Sequence, residues 1–252
     1  MSVPKLAPVR VHEPRTEITV AIAALTWVVS WLLGNVLASM VVGASGEKTG
    51  EIDTPVWLTL ATATALWIPM VVALHQVSRR CGRGTFRDDF ALRFRPVDAI
   101  GLAIGVVCQL VLLRAVYWPL EEVWPDTFSE ERLEKTARTL SDSAEGLWMV
   151  VLALVVVFGA PLVEELMFRG LLQGAFVRRM NEVVAVVLVA AWFALIHFRP
   201  VEYPGLLAFG LVLGVCALVT RRIGMSITAH VGFNATGLAL VAFDAQIPWG
   251  LT

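Results

Sequence analysis

The chain has 252 residues, 57% of them apolar and 16% charged, with a mean hydropathy of +0.73 and a net charge of −1. An ordinary soluble domain is about 25% charged, so this composition argues against a soluble globular enzyme and a disordered tail, and the near-neutral balance argues against a basic nucleic-acid surface. The three cysteines, Cys81, Cys108 and Cys216, form no CxxC pair, so neither a disulfide framework nor a cysteine zinc site is indicated.

The first 18 residues, MSVPKLAPVRVHEPRTEI, are polar and proline-rich and read as a cytoplasmic tail rather than a signal peptide. Uncharged runs follow at 19–42, 55–74, 99–113, 146–163, 183–196, 204–220 and 223–243. A bilayer core of about 30 Å needs about 20 apolar residues as a helix. The runs predict an all-α, polytopic transmembrane bundle of seven helices, with room for an eighth that is short or interfacial. Their continuity argues against a β-barrel. Residues 19–252 form one transmembrane domain in this reading. Between the third and fourth runs, residues 119–145 hold eight acidic residues, and Phe128, Leu133, Ala137 and Leu140 are spaced as the apolar stripe of a short surface helix. FRDDFALRFR at 86–95 mixes aromatics with arginines and suits an interfacial segment against anionic headgroups.

Basic residues set the expected orientation. The tail and the second, fourth and sixth connections carry thirteen, and the opposite side carries five. The N-terminus is therefore expected in the cytoplasm of a multi-pass cell-membrane protein.

Ionisable groups at membrane depth cost about 2.5–3.5 kcal/mol each on insertion scales, so those present are paired or functional. Glu164, Glu165 and Arg169 follow the fourth run in GAPLVEELMFRGLL, after a helix-loosening Gly159 and Pro161. Glu165 and Arg169 are four apart and suit an ion pair. Glu164, about 100° round the helix, faces elsewhere. His197 ends the fifth run, one turn after Phe193, and His230 and Asn234 are four apart on one face. If the helices are continuous, Glu164 and His197 lie level, about 24 Å from the tip of their hairpin. His230, about 12 Å from Arg222, joins them if that tip projects into the cytoplasm. The set then meets in the cytoplasmic half of the bundle. A carboxylate and a histidine can activate a water, and a second histidine with an amide can hold a developing oxyanion. Glu164, His197 and His230 are also candidate zinc ligands, although the HExxH signature is absent.

These residues also carry a resemblance. EELMFR at 164–169 resembles the EExxxR motif of the CPBP family of intramembrane proteases, which includes type II CAAX prenyl endopeptidases and bacteriocin-processing, Abi-like proteins. FALIH at 193–197 is similar to its FxxxH motif and HVGFN at 230–234 to its HxxxN motif, in the same order, within residues 146–240. The resemblance implies an all-helical intramembrane endopeptidase in which Glu164 and His197 activate water. His230 and Asn234 would form the oxyanion site, with Glu165, Arg169 and Phe193 supporting. It favours a glutamate-type mechanism without a cofactor over a zinc mechanism. The expected partners are a peptide or protein substrate, CAAX-type or bacterial, and the lipid bilayer. Two rival readings are a non-proteolytic scaffold or immunity protein of the same fold and a proton- or metal-coupled transporter. The four intact polar residues count against the first, and the lack of a repeated half counts against the second.

Overall fold

A computed structural model describes residues 17–47 and 54–243. The expected tail, 1–18, lies outside the described residues except for Glu17 and Ile18. Regular structure among the described residues is entirely helical: α1 Val20–Ser45, α2 Val56–Cys81, α3 Pro96–Val123, α4 Glu130–Asp142, α5 Leu147–Phe176, α6 Glu182–Leu195, α7 Pro200–Thr220 and α8 Gly224–Ala242. Six of these are long and apolar enough to cross a membrane, and the protein is a multi-pass membrane protein. The expected fifth span is the apolar helix α6, whose 14 residues reach only about 21 Å. The eighth helix is α4, the surface helix expected from the acidic segment.

Local chemistry sets the boundaries. The Thr19 hydroxyl accepts from the Ile22 N–H at the start of α1, and Gly46, at φ 72°, ends it in the left-handed conformation. Asn181 caps α6 by accepting from the N–H groups of Val183 and Val184. Several helices run further than the uncharged runs, α2 among them, which continues through Arg79 and Arg80 to Cys81. The run at 99–113 extends to Val123, taking in Arg114, which pairs with Glu121 at 3.5 Å. The run at 146–163 extends to Phe176, so Glu164, Glu165 and Arg169 lie inside α5, not at its end.

Helix α5 is the centre of the bundle. Its Met167, Phe168, Leu171 and Leu172 are buried in the largest apolar cluster, with Trp27 of α1, Leu74 of α2 and Phe193 of α6. Trp27 lies 5.5 Å from Phe168 and 5.0 Å from Trp192, ring centroid to centroid. On the other side α3 and α8 approach closely. A Cβ on Gly105 would run into the Ala229 carbonyl, and one on Gly232 into the Leu102 carbonyl. Small residues at such crossings let two helices meet backbone to backbone in lipid.

The segment 86–95 is more firmly built into the fold than an interfacial strip requires. Asp89 accepts from the Ser78 hydroxyl at 2.6 Å and the Arg83 N–H at 2.7 Å, and Phe90 is buried beneath α5 at Gly170. The neighbouring Thr85 hydroxyl, with Arg93, holds the Asp88 carboxyl below the usual range. Arg222, counted above among the orienting charges, is buried against Asp98 at 2.6 Å and ties the α7–α8 turn to the start of α3.

Candidate active site

Glu165 anchors the site. Its side chain is fully buried, and one oxygen, Oε1, accepts from Arg169 Nη1 at 2.9 Å and contacts His230 Nδ1 at 3.0 Å. The expected Glu165–Arg169 pair is present and reaches across the bundle. Arg169 also donates from Nη2 to the Gly210 carbonyl of α7 at 3.1 Å. One turn on, Gln173 donates to the Gly214 carbonyl at 2.9 Å. Residues four apart on α5 thus grip carbonyls four apart on α7.

Glu164 does not face away from this cluster. Its Oε2 lies 3.9 Å from His230 Nε2, and its side chain is 27% exposed where that of Glu165 is 0%. The two carboxylates diverge by about 100° on their helix, but an imidazole lying between them turns one nitrogen towards each. His230 is enclosed by Phe193 and Phe209, with ring centroids at 6.0 and 5.4 Å.

His197 is in a turn just beyond the end of α6 at Leu195, so the continuous helix assumed in the depth argument stops short of it. Its Nδ1 lies 2.7 Å from the Phe193 carbonyl. A carbonyl can only accept, so Nδ1 carries the proton and Nε2 the lone pair of the neutral ring. The Phe193 ring meets the His197 ring at 5.0 Å and lies under the Arg169 guanidinium at 4.7 Å. This one residue therefore packs against His197, His230 and Arg169.

Asn234 donates from Nδ2 to the Val156 carbonyl at 2.8 Å. That carbonyl is available for a reason visible in the sequence. Residues Leu154–Gly159 form a π-helical segment, in which the Ala160 N–H bonds back to Val155. The same register would pair Val156 with residue 161, which is Pro161 and has no N–H. The loosening expected at Gly159 and Pro161 is thus a spare acceptor that orients Asn234 and leaves its second Nδ2–H unused. The Val156 carbonyl and Phe209 are the parts of the site that the sequence reading did not pick out.

Phe233, Asn234 and Val156 border a cavity of about 560 Å³ formed by the second half of α3, α4, the start of α7 and the second half of α8. Leu133, Ala137 and Leu140, three of the four expected stripe residues, turn the apolar face of α4 onto it. His230 lies about 9 Å and Asn234 about 15 Å along α8 from Gly224, with the cavity beyond them towards α4. Among the described residues, no three His, Cys, Asp or Glu side chains converge where a cation would sit, the trio Glu164, His197 and His230 included.

Residues 146–236 match the family of type II CAAX prenyl endopeptidase Rce1-like proteins. This bears out the resemblance to the CPBP family carried by the three motifs. All three lie inside the matched segment, which covers just over a third of the chain. No curated protein and no solved structure matches the chain. In general terms, the family match and the membrane helices support a CAAX-type intramembrane protease, with a peptide or protein as its substrate.

Proposed function

We propose that the chain is an endopeptidase that cleaves a peptide bond within the membrane, using a water held between Glu164 and His197. Glu164 takes a proton from the water, and the resulting hydroxide adds to the scissile carbonyl carbon. The Nε2–H of His230 and the second Nδ2–H of Asn234 receive the oxygen as it becomes negative. Collapse of the tetrahedral adduct breaks the C–N bond, and the proton passes from Glu164 to the departing amine. Glu165 and Arg169 set the His230 ring, and Phe193 spaces the two histidines.

The observation that carries this reading is that both imidazoles are fixed through Nδ1, His197 on the Phe193 carbonyl and His230 on Glu165. Their Nε2 atoms remain for chemistry. With Nδ1 turned to Glu165, Nε2 is the atom of His230 left to donate to the oxyanion. No step is routed through a metal.

In this proposal the N-terminus is cytoplasmic, by the thirteen-to-five bias in basic residues. CAAX-type processing and bacterial peptide maturation are the substrate classes that the resemblance offers. The test is purified, detergent-solubilised protein assayed against a fluorogenic peptide library beside Glu164→Gln. Glutamine keeps the shape but cannot act as the base, so cleavage should fall by about 10²–10⁴-fold with thermal stability retained. Wild-type cleavage by the variant would remove Glu164 from the mechanism. Absence of any cleavage by the unaltered protein would favour the non-proteolytic scaffold.

A further inference from the structure

One polar side chain at membrane depth has no role in the site described above. Gln109 lies in the π-helical segment Cys108–Leu112 of α3, is half-buried, and has no hydrogen-bond partner among the described residues. Local π-helical turns recur at functional sites because they re-aim a side chain out of the helix register. Unpaired amides are costly at membrane depth, so the cavity that Gln109 borders is where its partner belongs. That cavity is the one bordered by Asn234.

The two amides lie close together along α8. The Gln109 carboxamide rests against Gly237, with Nε2 3.4 Å and Oε1 3.6 Å from where a Cβ on that residue would sit. Gly237 is three residues after Asn234 and on the same helix face, a separation of about 5–6 Å. Successive residues of an extended peptide advance about 3.3 Å. A peptide with its scissile carbonyl at Asn234 would therefore bring a main-chain amide to Gln109 one or two residues away. The other walls of the cavity are mostly apolar, Leu113, Leu206, Phe233 and Leu133 of α4 among them, with the charged Arg114, Glu121, Glu134, Arg199 and Glu202 also lining it.

We propose that Gln109 is a substrate-binding residue. Its carboxamide donates to a C=O and accepts from an N–H of an extended, apolar peptide lying in the cavity beneath α4. This rests on the protease reading. A carboxamide suits the task because it offers both a donor and an acceptor without bringing a charge into the membrane. Main-chain pairing of this kind also leaves the peptide's side chains to be sorted by the apolar walls.

The test uses the full chain in detergent with fluorogenic apolar decapeptides. Gln109→Met keeps the length and removes both hydrogen-bonding functions. KM should rise by about five- to tenfold, the effect of losing one or two neutral hydrogen bonds. kcat should stay within about twofold and the melting temperature should not change. Peptides N-methylated singly at each residue add a readout that mere packing would not move. Methylation at one position within two residues of the cleaved bond should weaken substrate use by the unaltered enzyme and cost the Gln109→Met enzyme nothing more. An unchanged KM, or an equal methylation penalty in both enzymes, overturns the assignment. Fluorescence anisotropy of the same peptides on Glu164→Gln protein, with and without Gln109→Met, separates the two proposals. Weaker binding in the double variant sustains the Gln109 role even if the unaltered protein cleaves nothing, whereas equal binding, or none, overturns it.

Discussion

Breaking the Glu165–Arg169 pair should be costly one residue at a time and mild when both are replaced. Arg169→Met leaves Glu165 fully buried, with His230 at 3.0 Å as its remaining side-chain partner, and releases the Gly210 carbonyl. Removing one member of a buried pair typically costs about 3–5 kcal/mol, because the other charge stays desolvated. At about 2–4 °C per kcal/mol for a chain of this length, the melting temperature should fall by roughly 6–20 °C. Glu165→Gln should cost a similar amount from the other side, leaving the guanidinium uncompensated between Phe193 and α7. The double variant buries no net charge in the pair and keeps an acceptor for His230, so it should lie within about 2 kcal/mol of the original. Cys108 and Cys216 are free and buried whereas Cys81 is partly exposed, so a thiol-reactive fluorophore can follow unfolding in detergent on a Cys81→Ser background. Additive losses across the cycle would refute the pairing, because additivity is what two independent sites give.

Asn234→Ala should lower kcat by about 10²–10³-fold with little change in KM, the effect of removing one oxyanion donor; a loss confined to KM would move Asn234 into substrate binding. Phe193→Leu keeps an apolar side chain but loses the edge contacts to both imidazoles, and kcat should drop by about ten- to a hundredfold through misplacement of the rings while the protein remains folded by thermal shift. Activity should survive prolonged dialysis against a strong chelator; loss on chelation, restored by one equivalent of zinc, would reassign Glu164, His197 and His230 as ligands, since such a site needs all three within about 2.0–2.2 Å of the ion.

Most of the architecture was legible because membrane helices announce themselves as apolar runs, and each expected span corresponds to one helix. The surface helix was legible too, since a stripe at helical spacing in an acidic segment has few other uses. The ends were less so. A run ends at its first charge, but α5 carries three charges past that point because, beyond the Glu165–Arg169 pair itself, they find partners on other helices: His230 on α8 and the Gly210 carbonyl on α7. No window along one helix contains that information. A helical wheel separates residues 164 and 165 by about 100°, but it says nothing of a ring that bridges the gap. Gly101 and Gly105 form a small-xxx-small pattern that signals the α3–α8 crossing.

The irregular stretches of helix bear on why this site can exist in lipid at all. Regular α-helices satisfy their own backbone and present nothing polar to a substrate. The chain departs from that register at Cys108–Leu112, Leu154–Gly159 and Leu166–Gln173. Each departure coincides with a polar group at membrane depth: Gln109 on the cavity, the Val156 carbonyl that holds Asn234, and Arg169 over the Phe193 ring. At the second, Pro161 removes an N–H five residues from Val156, and the acceptor so released is used by another helix. Buried hydrogen-bonding capacity of this kind is fixed by backbone geometry, so it stays oriented whether or not substrate is present. Preorganisation of that sort is what an oxyanion site requires. The carboxylates follow the loosened turn that carries Gly159 and Pro161, whereas His230 and Asn234 share α8, where a regular helix keeps residues four apart on one face.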